Sequence, residues 1–300
     1  MSALEVVAVG LLATVQDRGR LGLLDQGVGV SGPADRASAA LANRLVANAP
    51  DAALVEVLFG GLAVRAHGAA LVAATGAYAP LLVTSAGGSA RTAAMYELIA
   101  LSDGDVLQLG APSSGLRTYL AVRGGADVPP VLGSRSTDTL AGLGPAPLAV
   151  GALLPIGAAV DGEPSVDAVA PPWGGGTRPA DAAPPAAVLE ALLGPRDDWF
   201  TAEALSTLRT GVFAVSPASD RVGVRLEGPA PLERAIAREL PSEPVATGSL
   251  QVPAGGHPIV FLADHPVTGG YPVIAVLTEA SIDRAAQLAP GALVRFRLAR

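Results

Sequence analysis

Apolar and polar positions alternate along this chain in short runs. Leu54-Val55-Glu56-Val57-Leu58-Phe59 predicts a strand, as do Asp105–Leu109, Arg117–Val122, Val212–Val215, Val222–Glu227, Pro258–Leu262, Val273–Leu277 and Leu293–Leu298. Runs of about six residues punctuated by Gly, Pro, Asp and Ser are strand signals. Helical periodicity is scarcer. Pro33–Ala47 predicts a helix, with Ser31 as its cap and Ala37, Leu41 and Leu45 four apart on one face. Thr201–Leu208 and Ile282–Leu288, the latter with Ser281 as cap and Pro290-Gly291 as stop, predict two more. Many short strands and few helices point to a mainly β fold of barrels or sandwiches, since α/β folds alternate the two element types.

Three segments share a turn-then-strand shape: Ser102–Leu109, Ala149–Ile156 and Ala289–Phe296. They form a weak internal repeat, which similar local solutions explain as well as duplication does. The stretch 161–187, rich in Pro, Gly and Ala around Pro171-Pro172-Trp173-Gly174-Gly175-Gly176, reads as a linker or surface excursion. It divides the chain into an N-terminal β part, 1–160, and a C-terminal β part, 188–300.

Composition narrows the chemistry. Half of the 300 residues are hydrophobic, and mean hydropathy is +0.44. Ala66–Ala90 and Thr139–Val160 carry no charge and are long enough to span a bilayer. Both are broken by Pro and Gly, which predicts buried strands and turns instead. No basic segment precedes an apolar one at the N-terminus, so the chain is expected in the cytoplasm. Net charge is −7 and aromatics are 4%, which argues against nucleic acid as a partner. There is no cysteine, and the 20 basic residues are all Arg. Thiolate metal sites, a Cys nucleophile, a Schiff-base or phosphate-loop Lys and a biotinylated Lys are therefore excluded.

The remaining motifs have structural explanations as well as functional ones. Gly27-Val28-Gly29-Val30-Ser31-Gly32 matches a dinucleotide fingerprint, with Glu56 near the place of a ribose partner. No buried parallel strand precedes it, so a tight turn beside a capped helix is the better account. His257 and His265 flank one strand and lie roughly 26 Å apart along it, so no metal site is expected. No Gly-x-Ser-x-Gly element marks a hydrolase nucleophile. On the strand around Val222–Glu227, Arg221, Gly223, Arg225 and Glu227 share one face. That face is either a solvated wall or a pair of guanidiniums poised for a carboxylate or phosphate. Gly133–Asp138 combines Ser134, Arg135, Ser136 and Asp138; it could hold an anion or close a turn in which Asp138 pairs with Arg135. Asp264–Pro272 is a glycine-rich loop with one acid and one phenol, Tyr271.

Taken together, several segments resemble one family. They are Thr14–Arg20, Gly29–Arg36, Leu41–Asn43, Ala121–Gly125, Gly133–Asp138, Ser219–Gly228, Pro241–Glu243, Gly248–Pro253 and Thr268–Pro272. The chain is similar to the biotin-dependent carboxyltransferase A/B family, also called allophanate hydrolase subunit 2 or the KipA type. The resemblance implies cyclophilin-like β-barrels with a few short helices. It implies a subunit of an ATP-dependent enzyme that opens 5-oxoproline (pyroglutamate) to L-glutamate. Expected partners are an allophanate hydrolase subunit 1 (KipI)-type chain and a LamB/YcsF-type subunit. ATP with Mg is expected at the level of the complex, and biotin is not attached to this chain. Two alternatives stay open: a regulatory protein that binds a partner without turnover, and a carboxyltransferase acting on urea or a related amide with biotin supplied by another chain. On the matching motifs, Asp220, Glu243 and Asp264 are candidate acid/base or orienting groups. Arg135, Arg221 and Arg225 are candidate anion donors, and Gln251 and Tyr271 would position a ring.

Overall fold

A computed structural model describes residues 2–170 and 185–299. The core of the proposed linker, 171–184, lies outside the described residues. Two compact units emerge: described residues 2–21, 31–138 and 142–170 form the first, and 22–30, 139–141 and 185–299 the second. The mainly β expectation holds, with three short α-helices among the described residues. The uncharged stretches Ala66–Ala90 and Thr139–Val160 fall in strands, turns and loops. No helix among the described residues is long and apolar enough to cross a membrane.

In the first unit the strands build two antiparallel sheets. The larger runs Leu153–Pro155, Ala3–Val9, Leu62–His67, Val106–Leu109, Leu81–Thr84, Ala90–Ala93; the smaller runs Leu12–Gln16, Leu54–Leu58, Ser114–Val122, Ala70–Tyr78, Leu98–Leu101. Side-chain alternation explains how the sheets stack. Leu4, Val6, Leu62, Val64, Leu107 and Leu109 of one sheet meet Val15, Val55, Val57, Val72 and Leu120 of the other in a single apolar core. The opposite face of the smaller sheet, with Leu54, Ala73, Tyr119 and Ala121, is covered by Ala39, Ala42 and Leu45 of the helix Arg36–Leu45. Both faces of Leu54–Leu58 are thus buried, which is why that strand reads as nearly continuous apolar sequence.

Its one acid, Glu56, is 4% exposed and points to the helix side. Glu56 Oε2 accepts the Ala34 backbone N–H at 2.8 Å and the Tyr119 hydroxyl at 3.0 Å. The acid near the glycine fingerprint is therefore an anchor for the helix entry. Asp35, not Ser31, caps the helix: its carboxylate accepts Ser38 N–H at 2.9 Å. Ser31 instead adopts φ 58° and donates its hydroxyl to Thr137 O.

In the second unit seven strands close into a barrel: Ala187–Leu193, Val273–Leu277, Ser249–Gln251, Ile259–Phe261, Gly223–Glu227, Phe213–Val215 and Leu293–Ala299, returning to the first strand through a parallel pairing. Closure removes the sheet edges that would invite aggregation. Phe213 and Phe296 meet edge-on inside it, with ring centroids 5.4 Å apart. The helix expected over Thr201–Leu208 runs Ala202–Thr210, and Thr201 caps it by accepting the Ala204 N–H. The last helix begins earlier than expected, at Glu279 after Thr278. Ser281 lies inside its first turn and accepts Glu190 N–H at 2.7 Å, which ties the helix to the barrel.

The three turn-strand segments share one hydrogen-bond pattern. Asp105 N–H donates to Ser102 O, Ala152 N–H to Ala149 O and Ala292 N–H to Ala289 O. The intervening glycines have φ of 81°, 85° and 82°. Each glycine N–H donates to a neighbouring strand, at Ala66, Val6 and Val215. A turn with glycine at its third position delivers a strand into register by the same means three times.

Candidate functional site

Asp17 follows the strand Leu12–Gln16 and organises the N-terminal motif in the first unit. Its Oδ1 accepts the hydroxyls of Ser134 at 2.5 Å and Ser136 at 2.8 Å and the Gly19 N–H at 2.9 Å; its Oδ2 accepts the Arg135 N–H at 2.6 Å. Two motifs more than a hundred residues apart are fastened through one carboxylate. Arg20, 1% exposed, reinforces the junction by donating to Val131 O at 3.2 Å and Ser136 O at 2.5 Å.

Beside this junction a cleft of about 270 Å³ opens. Gln16, Asp17, Arg18, Arg36 and Asn43 line it, with Leu21, Ala39 and Leu54 as apolar wall. Gln16 is fully buried; its Nε2 donates to Thr14 Oγ1 and to Thr137 O, both at 3.0 Å. Thr137 O can only accept, so the amide orientation is fixed. Gln16 Oε1 is left buried with no partner among the described residues.

In the second unit, Arg221 and Asp264 form a buried pair, Nε to Oδ2 at 2.9 Å and Nη2 to Oδ1 at 3.0 Å. Asp264 Oδ2 also accepts the Thr139 N–H and hydroxyl, at 2.9 and 2.7 Å. Arg225 does not join Arg221: it is exposed on the strand Gly223–Glu227 and donates its Nε to Ala218 O. Asp220 closes the preceding turn by accepting Val222 and Gly223 N–H groups. Arg135, in the first unit, pairs with Asp127 at 2.8 Å and not with Asp138.

A third group gathers Glu243, Gln251 and Tyr271. Glu243 pairs in register with Gly269, which packs closely on the Gln251 amide. Gln251 Nε2 donates to Tyr271 O at 3.1 Å. The Tyr271 ring is half-exposed, with the Arg234 guanidinium 5.5 Å from its centroid. Arg196 grips Glu243 with two hydrogen bonds. Those bonds hold the Glu243 carboxyl below its ordinary value. It is ionised at neutral pH and has no proton to give as a general acid.

Of the predicted residues, Arg221 with Asp264 and Glu243 with Gln251 and Tyr271 come together, while Asp220, Arg225 and Arg135 stand in turns or on the surface. The cleft residues Gln16, Arg18, Arg36 and Asn43 belong to the family-like motifs, but their sequence pattern gave them no role. Among the described residues, no group of three His, Cys, Asp or Glu side chains could cage a metal ion.

The family model described as carboxyltransferase domain, subdomain A and B, matches residues 26–298. A 5-oxoprolinase subunit of Escherichia coli (strain K12) is 35% identical over 98% of this chain and 90% of its own length. Urea amidolyase of Lachancea kluyveri is 32% identical over 98% of this chain but only 17% of its own length. The crystal structure of the K. lactis urea amidolyase superposes with a TM-score of 0.85 at 30% identity, covering 98% of this chain and 18% of that one. The crystal structure of TTHA0988 superposes at 0.79 with 34% identity, covering 99% of this chain and 55% of that one.

Proposed function

The chain belongs to the carboxyltransferase domain, subdomain A and B, family, and from that membership we propose that it is a subunit of an ATP-dependent 5-oxoprolinase, opening 5-oxoproline to L-glutamate only in complex. One observation carries this choice over the alternatives: the Escherichia coli 5-oxoprolinase subunit is 35% identical over 98% of this chain, against 32% for the Lachancea kluyveri urea amidolyase. The partners we expect are a KipI-type chain and a LamB/YcsF-type subunit.

A lactam carbonyl is a weak electrophile, and its ring nitrogen is a poor leaving group. ATP bound at the level of the complex would supply a phosphoryl group to the carbonyl oxygen; water can then add to that carbon, the ring C–N bond breaks with a proton delivered to nitrogen, and a second water releases phosphate from the resulting acyl phosphate to leave glutamate. The chain's own residues then have two tasks. One is to hold the substrate carboxylate, for which planar guanidiniums are suited. The other is to place fixed donors where negative charge develops. Arg135 and Arg225 present guanidiniums at the surface for such contacts, Glu243 is an orienting anion, and Gln251 holds the Tyr271 segment. Arg221 positions Asp264 and Thr139. The described residues offer no metal cage, so we place Mg with ATP at the level of the complex and route no step through it on this chain. The urea amidolyase relatives favour the second reading, a carboxyltransferase; without lysine, this chain would take its biotin from another one.

Reconstitution with the two partner chains, followed by glutamate release from 5-oxoproline with and without ATP, tests the proposal. ATP-dependent glutamate formation supports it. A complex that is inert on 5-oxoproline but carboxylates urea in the presence of a biotinylated carrier overturns it in favour of the second reading. A complex that forms and does neither points to a regulatory role.

A further inference from the structure

We infer that the outer wall of the barrel built by Ala187–Leu193 and Leu293–Ala299 is the docking face for a partner subunit, and that the segment it takes is acidic with apolar residues interspersed. The inference rests on the functional reading above in one respect: that reading makes the chain one subunit among several, so one of its faces is covered in the working enzyme.

The two strands run parallel, with Val188 beside Arg295 and Glu190 beside Arg297. Alternation sends Leu189, Ala191, Val294 and Phe296 into the barrel, where they are buried. The other set points outward: Leu293, Arg295 and Arg297 on one strand, Glu190 and Leu192 on its neighbour, all exposed. Leu192 and Leu293 keep 51% and 43% of their surface open. Each strand is paired on both sides within the barrel, so no backbone edge is offered. A partner on this wall is recognised through side chains and not by adding a strand.

Arg209, Arg295 and Arg297 line a groove of about 410 Å³ on this wall, with Val188 and Leu298 as apolar neighbours and no lining carboxylate. Among the described residues, the one ion pair made by these three joins Arg297 to Glu190 at 3.0 Å, and both its members stay more than half exposed. Arg209 stands in the last turn of the helix Ala202–Thr210, where a cation complements the helix dipole. The dipole accounts for Arg209 but not for Arg295 or Arg297, which lie within a strand.

A wall that meets only water ordinarily mixes charges of both signs. Here Glu190 is the one acid among the outward positions, although the whole chain carries a net charge of −7. Exposed aliphatic side chains interleaved with arginine have the composition of an interface core, because a guanidinium is weakly hydrated and packs flat on its neighbours. Positive charge gathered on one face of a negative chain selects an acidic segment and steers its approach. Leu192 and Leu293 call for apolar residues between those acids.

The test is sedimentation velocity of the full-length chain with each of the two partner chains proposed above, at low and at high salt. We expect one of them to bind, with binding weakened by salt. Arg295→Glu should weaken it about tenfold or more, and Arg209→Gln several-fold, both with unchanged melting temperature. Arg44→Glu, at an exposed position in the first unit, should leave binding as it is. Binding that ignores both Arg295→Glu and Arg209→Gln overturns the inference. So does self-association that is lost in Arg295→Glu while partner binding persists, which would make the wall a contact between two copies of this chain. Failure of the parent chain to bind either partner overturns the inference and the subunit reading together. A complex that forms glutamate but is indifferent to the variants keeps the functional reading and removes the docking face. A complex that depends on these arginines yet forms no glutamate does the reverse.

Discussion

Arg221 and Asp264 face each other in a two-pronged ion pair in which the side chains are 3% and 0% exposed. The guanidinium's planar fork matches the carboxylate, and Thr139 supplies two further donors to the same acid. Such a pair is costly to break from one side, because the abandoned charge stays buried. Arg221→Ala should therefore destabilise the second unit by about 3–5 kcal/mol, visible as a lowered urea midpoint by circular dichroism. Lost turnover in that variant reports lost structure first. A loss of stability below about 1 kcal/mol would mean the two charges do not depend on each other.

Tyr96 is 2% exposed and donates its hydroxyl to Gly76 O at 2.6 Å. Burial pushes its phenol up to about 12. Tyr119, enclosed and facing Glu56, is raised well above the ordinary value by burial first and that carboxylate second. A phenol that resists ionisation in the folded state favours folding fully below its unfolded value. That contribution is lost between about pH 10 and 12, where the unfolded chain releases its proton and the folded one does not. Stability should fall across this window. Absorbance at 295 nm should show two of the four tyrosines ionising only with unfolding. Tyr96→Phe should flatten the fall; an unchanged slope in that variant would remove Tyr96 as a cause.

The three turn glycines Gly104, Gly151 and Gly291 share a left-handed conformation but not their surroundings. A Cβ at Gly151 or Gly291 would meet nothing within 4 Å, whereas at Gly104 it would lie 2.9 Å from the Ala86 Cβ. Gly151→Ala and Gly291→Ala should each cost about 1 kcal/mol from the backbone alone. Gly104→Ala should cost clearly more. Equal losses in thermal unfolding of all three would show that the backbone conformation alone sets the cost.

The strands were legible because alternation is a local property: Val273–Leu277 appears with the predicted bounds, and Leu54–Leu58 falls one residue short. Helix caps were less so. Ser31 and Ser281 are good capping residues in composition, but Thr137 O and Glu190 N–H claim their hydroxyls. Those partners lie 106 and 91 residues away, a distance no local pattern encodes.

The candidate site was legible in part for the same reason. Arg221 looked like a member of a solvated strand face together with Arg225. The strand begins only at Gly223, so Arg221 lies before it and turns inward to Asp264, while Arg225 follows the alternation outward. Glu243, Gln251 and Tyr271 were gathered from separate motifs and do pack together. The cleft at Gln16 was missed because its signal is an unpaired oxygen, and pairing exists only once Thr137 has been folded against the strand.

Asp17 offers the sharpest test of how the first unit's motifs are joined. Its carboxylate accepts four bonds, three of them from Ser134, Arg135 and Ser136. Asp17→Ala removes the acceptor for all of them at once. The Ser134 and Ser136 residues are fully buried, so their hydroxyls would be left without that partner. Each charge-assisted bond contributes roughly 1.5–3 kcal/mol, and the losses overlap, so a total of about 3 kcal/mol is expected. Asp17→Asn keeps the size but turns one oxygen into a donor, directed at either the Arg135 N–H or the two serines. It should recover only a minor part of the loss. Arg135→Ala should leave the junction intact by comparison, since Arg135 enters it through its backbone N–H. Urea unfolding of the three variants beside the parent chain separates the cases. Full stability in Asp17→Ala would mean the two motifs are held together by packing and not by this carboxylate.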